Sequence, residues 1–364
     1  MAGSTFLRAM LAGLVLALSP APALAETLER MAGQMIMVGF TGTDPADKGV
    51  RAVLDDLQSG TIGGVMLLKT NVASRKGLAV LTAALAAAAT GPVPFIGIDQ
   101  EGGKVARLGA ATGVPDLPSA EAEARTRSVD EARADYAALA IALHRLGINV
   151  NFAPVVDLKL NPDNPVIAKF GRAFSRDAGV VTDYARALID AHRDAGVLTA
   201  LKHFPGHGSS AADSHEGLTD ISASWQEEEE LQPYRALISE DMADMVMVGH
   251  LVNRQLDGTG KPASLSNPMI EGLLRQDLGF SGVVISDDLE MGAIRKAYTL
   301  EETVVAAVEA GVDVLLFSNT LKPRGTLGAE IRTVLVRHAE SDPAFRARIE
   351  ASYARIMALK DRLQ

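Results

Sequence analysis

Apolar residues in this chain gather into eight short runs separated by longer stretches of mixed polarity. The runs cover residues 34–40, 64–69, 94–99, 150–158, 198–204, 245–251, 282–287 and 312–318. Each is continuously hydrophobic rather than alternating, the pattern of a strand buried on both faces. Between them lie helical patterns. Residues 74–89 are alanine-rich, 119–146 read as one long amphipathic helix, and 180–195 end at Gly196 as a C-terminal cap; 223–242, 268–278 and 301–310 follow. Eight strand–helix units predict an α/β fold, a (β/α)8 TIM barrel spanning residues 26–364 as a single domain. A doubly wound open sheet is the competing arrangement; strand number and even spacing favour the barrel. The last segment, 345–363, places Phe345, Ile349, Tyr353, Ile356 and Leu359 near one helical face and reads as a helix closing the barrel.

Composition narrows the function classes. The chain has 364 residues, 48% hydrophobic and 22% charged, with a formal charge of -10. That balance suits a globular protein with a full core and offers no basic face for nucleic acid. There is no cysteine, so disulfides and thiolate metal sites are excluded. Residues 1–25 carry a single charge, Arg8, then an apolar run too short to span a bilayer, then Ala23-Leu24-Ala25. This is the order of a secretory signal peptide cleaved after Ala25. The expectation is export, to the periplasm, with no stable membrane insertion afterwards.

The chemistry concentrates in loops that follow the runs. Lys202-His203-Phe204-Pro205-Gly206-His207-Gly208, then Asp213-Ser214-His215, put three histidines, a lysine and an aspartate within fourteen residues. Two glycines and a proline keep the stretch out of a helix interior. In a barrel, functional groups collect at the C-terminal ends of strands. Asp99, Lys202, His203, His250 and Asp287 would then share one rim, with Arg107 and Arg172 in adjacent loops. Asp287 reads as a nucleophile, a metal ligand or a structural ion-pair partner. Asp288 points to the other side of the strand, as a structural partner in the helix layer. Asp213 beside His215 would orient the imidazole for proton transfer in both directions; the bland reading is a polar surface loop. Arg107 and Arg172 are either loop salt-bridge formers or bidentate donors to sugar hydroxyls or a carbonyl oxygen. His144, His192 and His338 read as surface or packing residues.

At these residues the chain resembles glycoside hydrolase family 3 and, within it, the NagZ-type β-N-acetylhexosaminidases. The resemblance rests on Ile98-Asp99-Gln100-Glu101-Gly102-Gly103 through Arg107-Leu108, on Asn151-Phe152-Ala153-Pro154-Val155-Val156-Asp157, on the run from Lys202 to His215, and on the segment from Gly279 to Asp288. It implies a TIM barrel and a retaining, metal- and cofactor-free hydrolysis of terminal β-linked N-acetylglucosamine, with peptidoglycan fragments as the expected source. By that resemblance Asp287 is the nucleophile, His215 the acid/base and Asp213 its partner. Asp99, Arg107, Arg172, Lys202 and His203 correspond to positions that hold the sugar. One departure is Glu216-Gly217-Leu218, where the pattern has a proline. The partner expected is a carbohydrate, and the protein is expected to be a monomer. Rival readings are a β-glucosidase or phosphate-using glycosidase, a metal-dependent barrel hydrolase with His203, His207 and His250 as ligands, and a non-catalytic sugar-binding protein.

Overall fold

The computed structural model describes residues 26–212 and 217–363. The segment expected as a signal peptide, and Asp213 and His215, lie outside the described residues. Eight parallel strands form the barrel: β1 Ile36–Gly39, β2 Gly64–Leu67, β3 Phe95–Ile98, β4 Val150–Asn151, β5 Leu198–Phe204, β7 Met245–Val248, β9 Val283–Ser286 and β10 Leu315–Phe317. Two more, β6 Thr219–Asp220 and β8 Leu251–Val252, pair beside it. Neighbours follow chain order around the barrel, and β1 pairs with β10 from Ile36 opposite Leu315. The ring closes between β9 and β10 through an Ile285–Val314 bridge and the Ser286 N–H, which donates to the Val314 carbonyl at 3.0 Å. The open-sheet alternative is thereby ruled out.

Every barrel-strand residue is buried, as continuous apolar runs require of strands covered on both faces. Gly97 in β3 shows how tightly the barrel fills. A Cβ there would lie 2.7 Å from Met37 Cε and 2.7 Å from Phe152 Cζ. The open end toward the N-termini of the strands is sealed by charge. Buried Asp244 accepts from Arg193, Arg362 and Thr199, and buried Asp313 from Arg275, Arg355 and Ser352. Two of those arginine and serine donors sit on the last helix, Pro343–Lys360, which buries Phe345, Ile349, Ile356 and Leu359 against the barrel as its period predicts.

Two expected helices are each divided. Residues 119–146 form Ala120–Thr126 and Val129–Arg145. Ser128 starts the second with a capping box: its hydroxyl accepts from Glu131 N at 3.3 Å and Glu131 Oε2 accepts from Ser128 N at 2.8 Å. Local cap chemistry outweighs the continuous amphipathic period. The 223–242 pattern becomes Glu227–Glu230 and Gln232–Ser239, where Pro233, which has no N–H to give, opens the second helix.

Candidate active site

The loops at the C-terminal ends of the strands enclose a cavity of about 380 Å³, lined by Asp99, Arg107, Arg172, Lys202, His203 and Asp287 among others. All six described site residues expected from the sequence therefore converge. A larger groove of about 640 Å³, between the helices Lys48–Gln58 and Leu327–Ser341, is lined by Lys48, Arg51, Asp55, Asp56 and Arg324, none of them a residue singled out from the sequence.

Asp99 and Glu101 follow β3 two positions apart, so both carboxylates turn to the same side. Lys202, at the end of β5, donates to Asp99 Oδ1 at 2.8 Å and to Glu101 Oε1 at 2.7 Å. Arg107 donates to Asp99 Oδ2 at 3.2 Å. Arg172 grips Glu101 with two bonds, Nε to Oε2 at 2.8 Å and Nη2 to Oε1 at 2.7 Å. Burial opposes the charge on Glu101, but Arg172 and Lys202 hold its carboxyl below the usual carboxylate range. Burial likewise works against the Lys202 ammonium, and Asp99 and Glu101 keep its pKa above the ordinary value. Buried Gln100 shapes the intervening loop, its side-chain oxygen accepting from Arg107 N at 2.9 Å and Leu108 N at 3.0 Å. Gly102, at φ +105° with a Cβ position 2.4 Å from the Pro118 carbonyl oxygen, is a turn only glycine can make.

Asp157, at the end of the fourth run and fully buried, organises the histidines. Its Oδ1 accepts from His203 N at 3.1 Å and His207 N at 2.8 Å, and its Oδ2 accepts from His203 Nδ1 at 2.7 Å. Because that bond takes the Nδ1 proton, Nε2 of a neutral His203 faces Arg172 as an acceptor, 3.4 Å away. Burial pushes His207 down to about 4, so it is neutral near pH 7, with Nδ1 2.7 Å from the Ser210 hydroxyl.

Asp287 follows β9, its backbone N–H donating to the Val248 carbonyl at 3.0 Å and its Oδ1 accepting from Asp288 N at 2.8 Å. Burial would raise its pKa; His250, His203, the Asp288 N–H and Lys202 together outweigh burial and hold the carboxyl at about 2. A carboxylate that stays ionised at the floor of such a cavity is a nucleophile or a charge stabiliser. His250 stands behind it rather than in the cavity: Nε2–H donates to the Asp288 carbonyl at 2.8 Å and Nδ1 lies 2.8 Å from the Ser264 hydroxyl. Asp288 does not reach the helix layer. It stays at the rim, accepting from Glu290 N at 3.0 Å and Ser318 N at 2.8 Å, which ties the end of β9 to that of β10. The metal-ligand trio expected of the rival reading does not assemble: among the described residues no group of three or more His, Asp or Glu is poised around one ion. Both ring nitrogens of His250 and Nδ1 of His203 and of His207 have protein partners.

Glu101 and Asp157 were legible only as neighbours in motifs; their roles required knowing which loops meet. Phe170, a residue 41% exposed at the mouth with Lys104 Nζ 5.0 Å from its ring centroid, carried no signal as an isolated aromatic. His192 is a packing residue, buried between Asn151 and the Leu188 carbonyl.

Residues 27–359 match the model described as Glycosyl hydrolase family 3 N terminal domain. The chain is 38% identical over 314 residues to Beta-hexosaminidase LpqI of Mycobacterium tuberculosis, covering 82% of this chain and 75% of that protein. It is 34% identical over 322 residues to Beta-hexosaminidase A of Pseudoalteromonas piscicida, covering 83% of this chain but 54% of that protein. Among solved structures it is similar to a glycoside hydrolase family 3 beta-N-acetylglucosaminidase from Paenibacillus sp. str. FPU-7, with a TM-score of 0.84 and 35% identity over 93% of this chain and 63% of that one.

Proposed function

The chain belongs to glycoside hydrolase family 3, and from that membership we propose that it is a retaining exo-β-N-acetylglucosaminidase acting on terminal β-linked N-acetylglucosamine of peptidoglycan fragments. In this reading a carboxylate oxygen of Asp287 attacks the anomeric carbon. The glycosidic bond breaks as the His215 imidazole protonates the departing oxygen. His215 then takes a proton from water, which displaces the sugar from Asp287 with net retention. Asp213 orients His215 and stabilises its charged form. Asp99, Lys202, Arg107, Arg172 and His203 hold the sugar through its hydroxyls and acetamido group. The observation that carries the reading is the ionised Asp287 carboxylate in a cavity shared with Asp99, Lys202, Arg172 and His203.

Asp287→Ala is expected to lower kcat on a nitrophenyl β-N-acetylglucosaminide by about a thousandfold or more. Undiminished turnover in that variant ends the assignment. The proposal also has the protein exported through residues 1–25 and active as a monomer. No helix among the described residues is long and apolar enough to cross a membrane. Finding the protein only in the cytosolic fraction, or a dimer by light scattering, would remove those parts.

A further inference from the structure

We propose that Glu230 is a positioning residue for the reaction, holding from outside the cavity the turn through which the chain runs on to Asp213 and His215. Glu230 sits at the end of the short helix Glu227–Glu230, in a run of four glutamates that reads in sequence as a solvated face. It is instead 1% exposed. Its Oε1 accepts from the Ser209 hydroxyl at 2.6 Å and its Oε2 from Gly208 N at 3.1 Å. Gly206 packs flush against it: a Cβ there would lie 2.6 Å from Glu230 Oε2. The nearby Trp225 indole donates to the Pro205 carbonyl at 3.1 Å.

The opposite side of the same turn is held by Asp157, through His203 N and His207 N. Asn164 adds a bond to the His207 carbonyl at 2.8 Å. The turn is thus clamped between two buried acidic side chains. Asp157 serves His203, which faces the cavity. Glu230 serves Gly208 and Ser209, which do not line it. What lies downstream of Ser209 is the Asp213–His215 segment, four residues on. Burial, with Asp157 adding to it, raises the Glu230 carboxyl to about 7, and among the described residues no lysine or arginine bonds to it. A buried acid without an ion pair, bonded to Ser209, Gly208 and the Gln226 N–H, is costly for stability alone. Its geometry is that of a support for the turn.

The inference rests on the reading of His215 as the acid/base, and the test separates the two. Protonation of the leaving oxygen matters for a poor leaving group and little for 2,4-dinitrophenolate, which departs as the anion. Glu230→Ala is expected to lower kcat at least about tenfold on an alkyl or 4-nitrophenyl N-acetylglucosaminide, with KM within about threefold and the dinitrophenyl substrate little affected. Glu230→Gln keeps an accepting oxygen and is expected to lose about threefold with the same selectivity. Ser209→Ala, which removes one donor to Glu230, provides the same readout if Glu230→Ala does not fold. Losses equal on both substrates, or none in any variant, overturn the proposal. His215→Ala is the control. If it shows leaving-group selectivity and the Glu230 variants do not, the Glu230 proposal fails alone. If His215→Ala shows none, the acid/base reading fails and the positioning role falls with it.

Discussion

Asp287 owes its charge to its neighbours. Burial alone would raise the carboxyl, but two imidazoles, a backbone N–H and Lys202 lower it from 3.8 to about 2. A carboxylate with a depressed pKa is ionised above that value and loses its charge only as the pH falls through it. Covalent labelling of Asp287 by a fluorosugar with a good leaving group is therefore expected at a constant rate from about pH 4 to about pH 7. A midpoint inside that window would show that the attacking oxygen titrates there, contrary to its surroundings. Glu101 is the second residue whose environment decides its role. It is the shared anion of Lys202 and Arg172, and all three side chains are nearly shut from water. Glu101→Gln leaves two buried cations under-compensated. We expect a loss of about 3 kcal/mol in chemical denaturation together with a raised KM. A variant with unchanged stability would show that water or Asp99 takes over the pairing.

The turn after β5 is the element on which most of the site depends. It continues directly from Lys202 and His203 at the end of that strand, and it is fitted so closely to the turn after β4 that Gly208 has no room for a side chain: a Cβ would lie 1.9 Å from the Leu158 carbonyl oxygen. That neighbour is backbone, which cannot swing aside as a flexible side chain would. Gly208→Ala is expected to destabilise by about 2 kcal/mol and to cost more in kcat than the lost stability accounts for. Wild-type kcat in a destabilised but folded variant would show that the turn can shift without disturbing catalysis. The helices were read less well than the strands for a related reason. A hydrophobic period reports which face is covered, but Ser128 with Glu131, and Pro233, act on single backbone groups and restart a helix without changing the period.

Across the molecule, the two ends of the barrel use buried charge differently. At the C-terminal ends of the strands it is held ionised around an open cavity. At the other end it seals the barrel, as Asp244, Asp313 and Lys360 do. Lys360 reaches in from the last helix, donates to Gln34 Oε1 and the Gly63 carbonyl at 2.7 Å each, and lies 4.6 Å from the Phe95 ring centroid. Burial lowers it from 10.5 to about 7. Between those two values the unfolded chain binds the extra proton, so the stability of the native protein relative to a Lys360→Met variant should rise as the pH is raised from 7 toward 10. Parallel stability curves over that range would mean that the oxygens and the ring compensate fully for burial. Pairing the ends of a chain in this way also explains why the last helix was readable: its apolar face had to cover something, and the barrel's end was the surface left uncovered.

Eight strands, their order and the rim residues Asp99, Lys202, His203 and Asp287 followed from hydrophobic runs that end in titratable groups, because strands buried on both faces must be apolar throughout and a barrel turns all their C-terminal ends one way. Motif likeness carried the family. Which partner each charge takes was decided only by the fold: Asp157 and Glu230 are 73 positions apart, yet they hold the same turn from opposite sides. Hydrophobicity is written residue by residue along a chain. Hydrogen bonding and charge compensation depend on distances of about 3 Å between loops far apart in sequence, and those distances exist only once the barrel has closed.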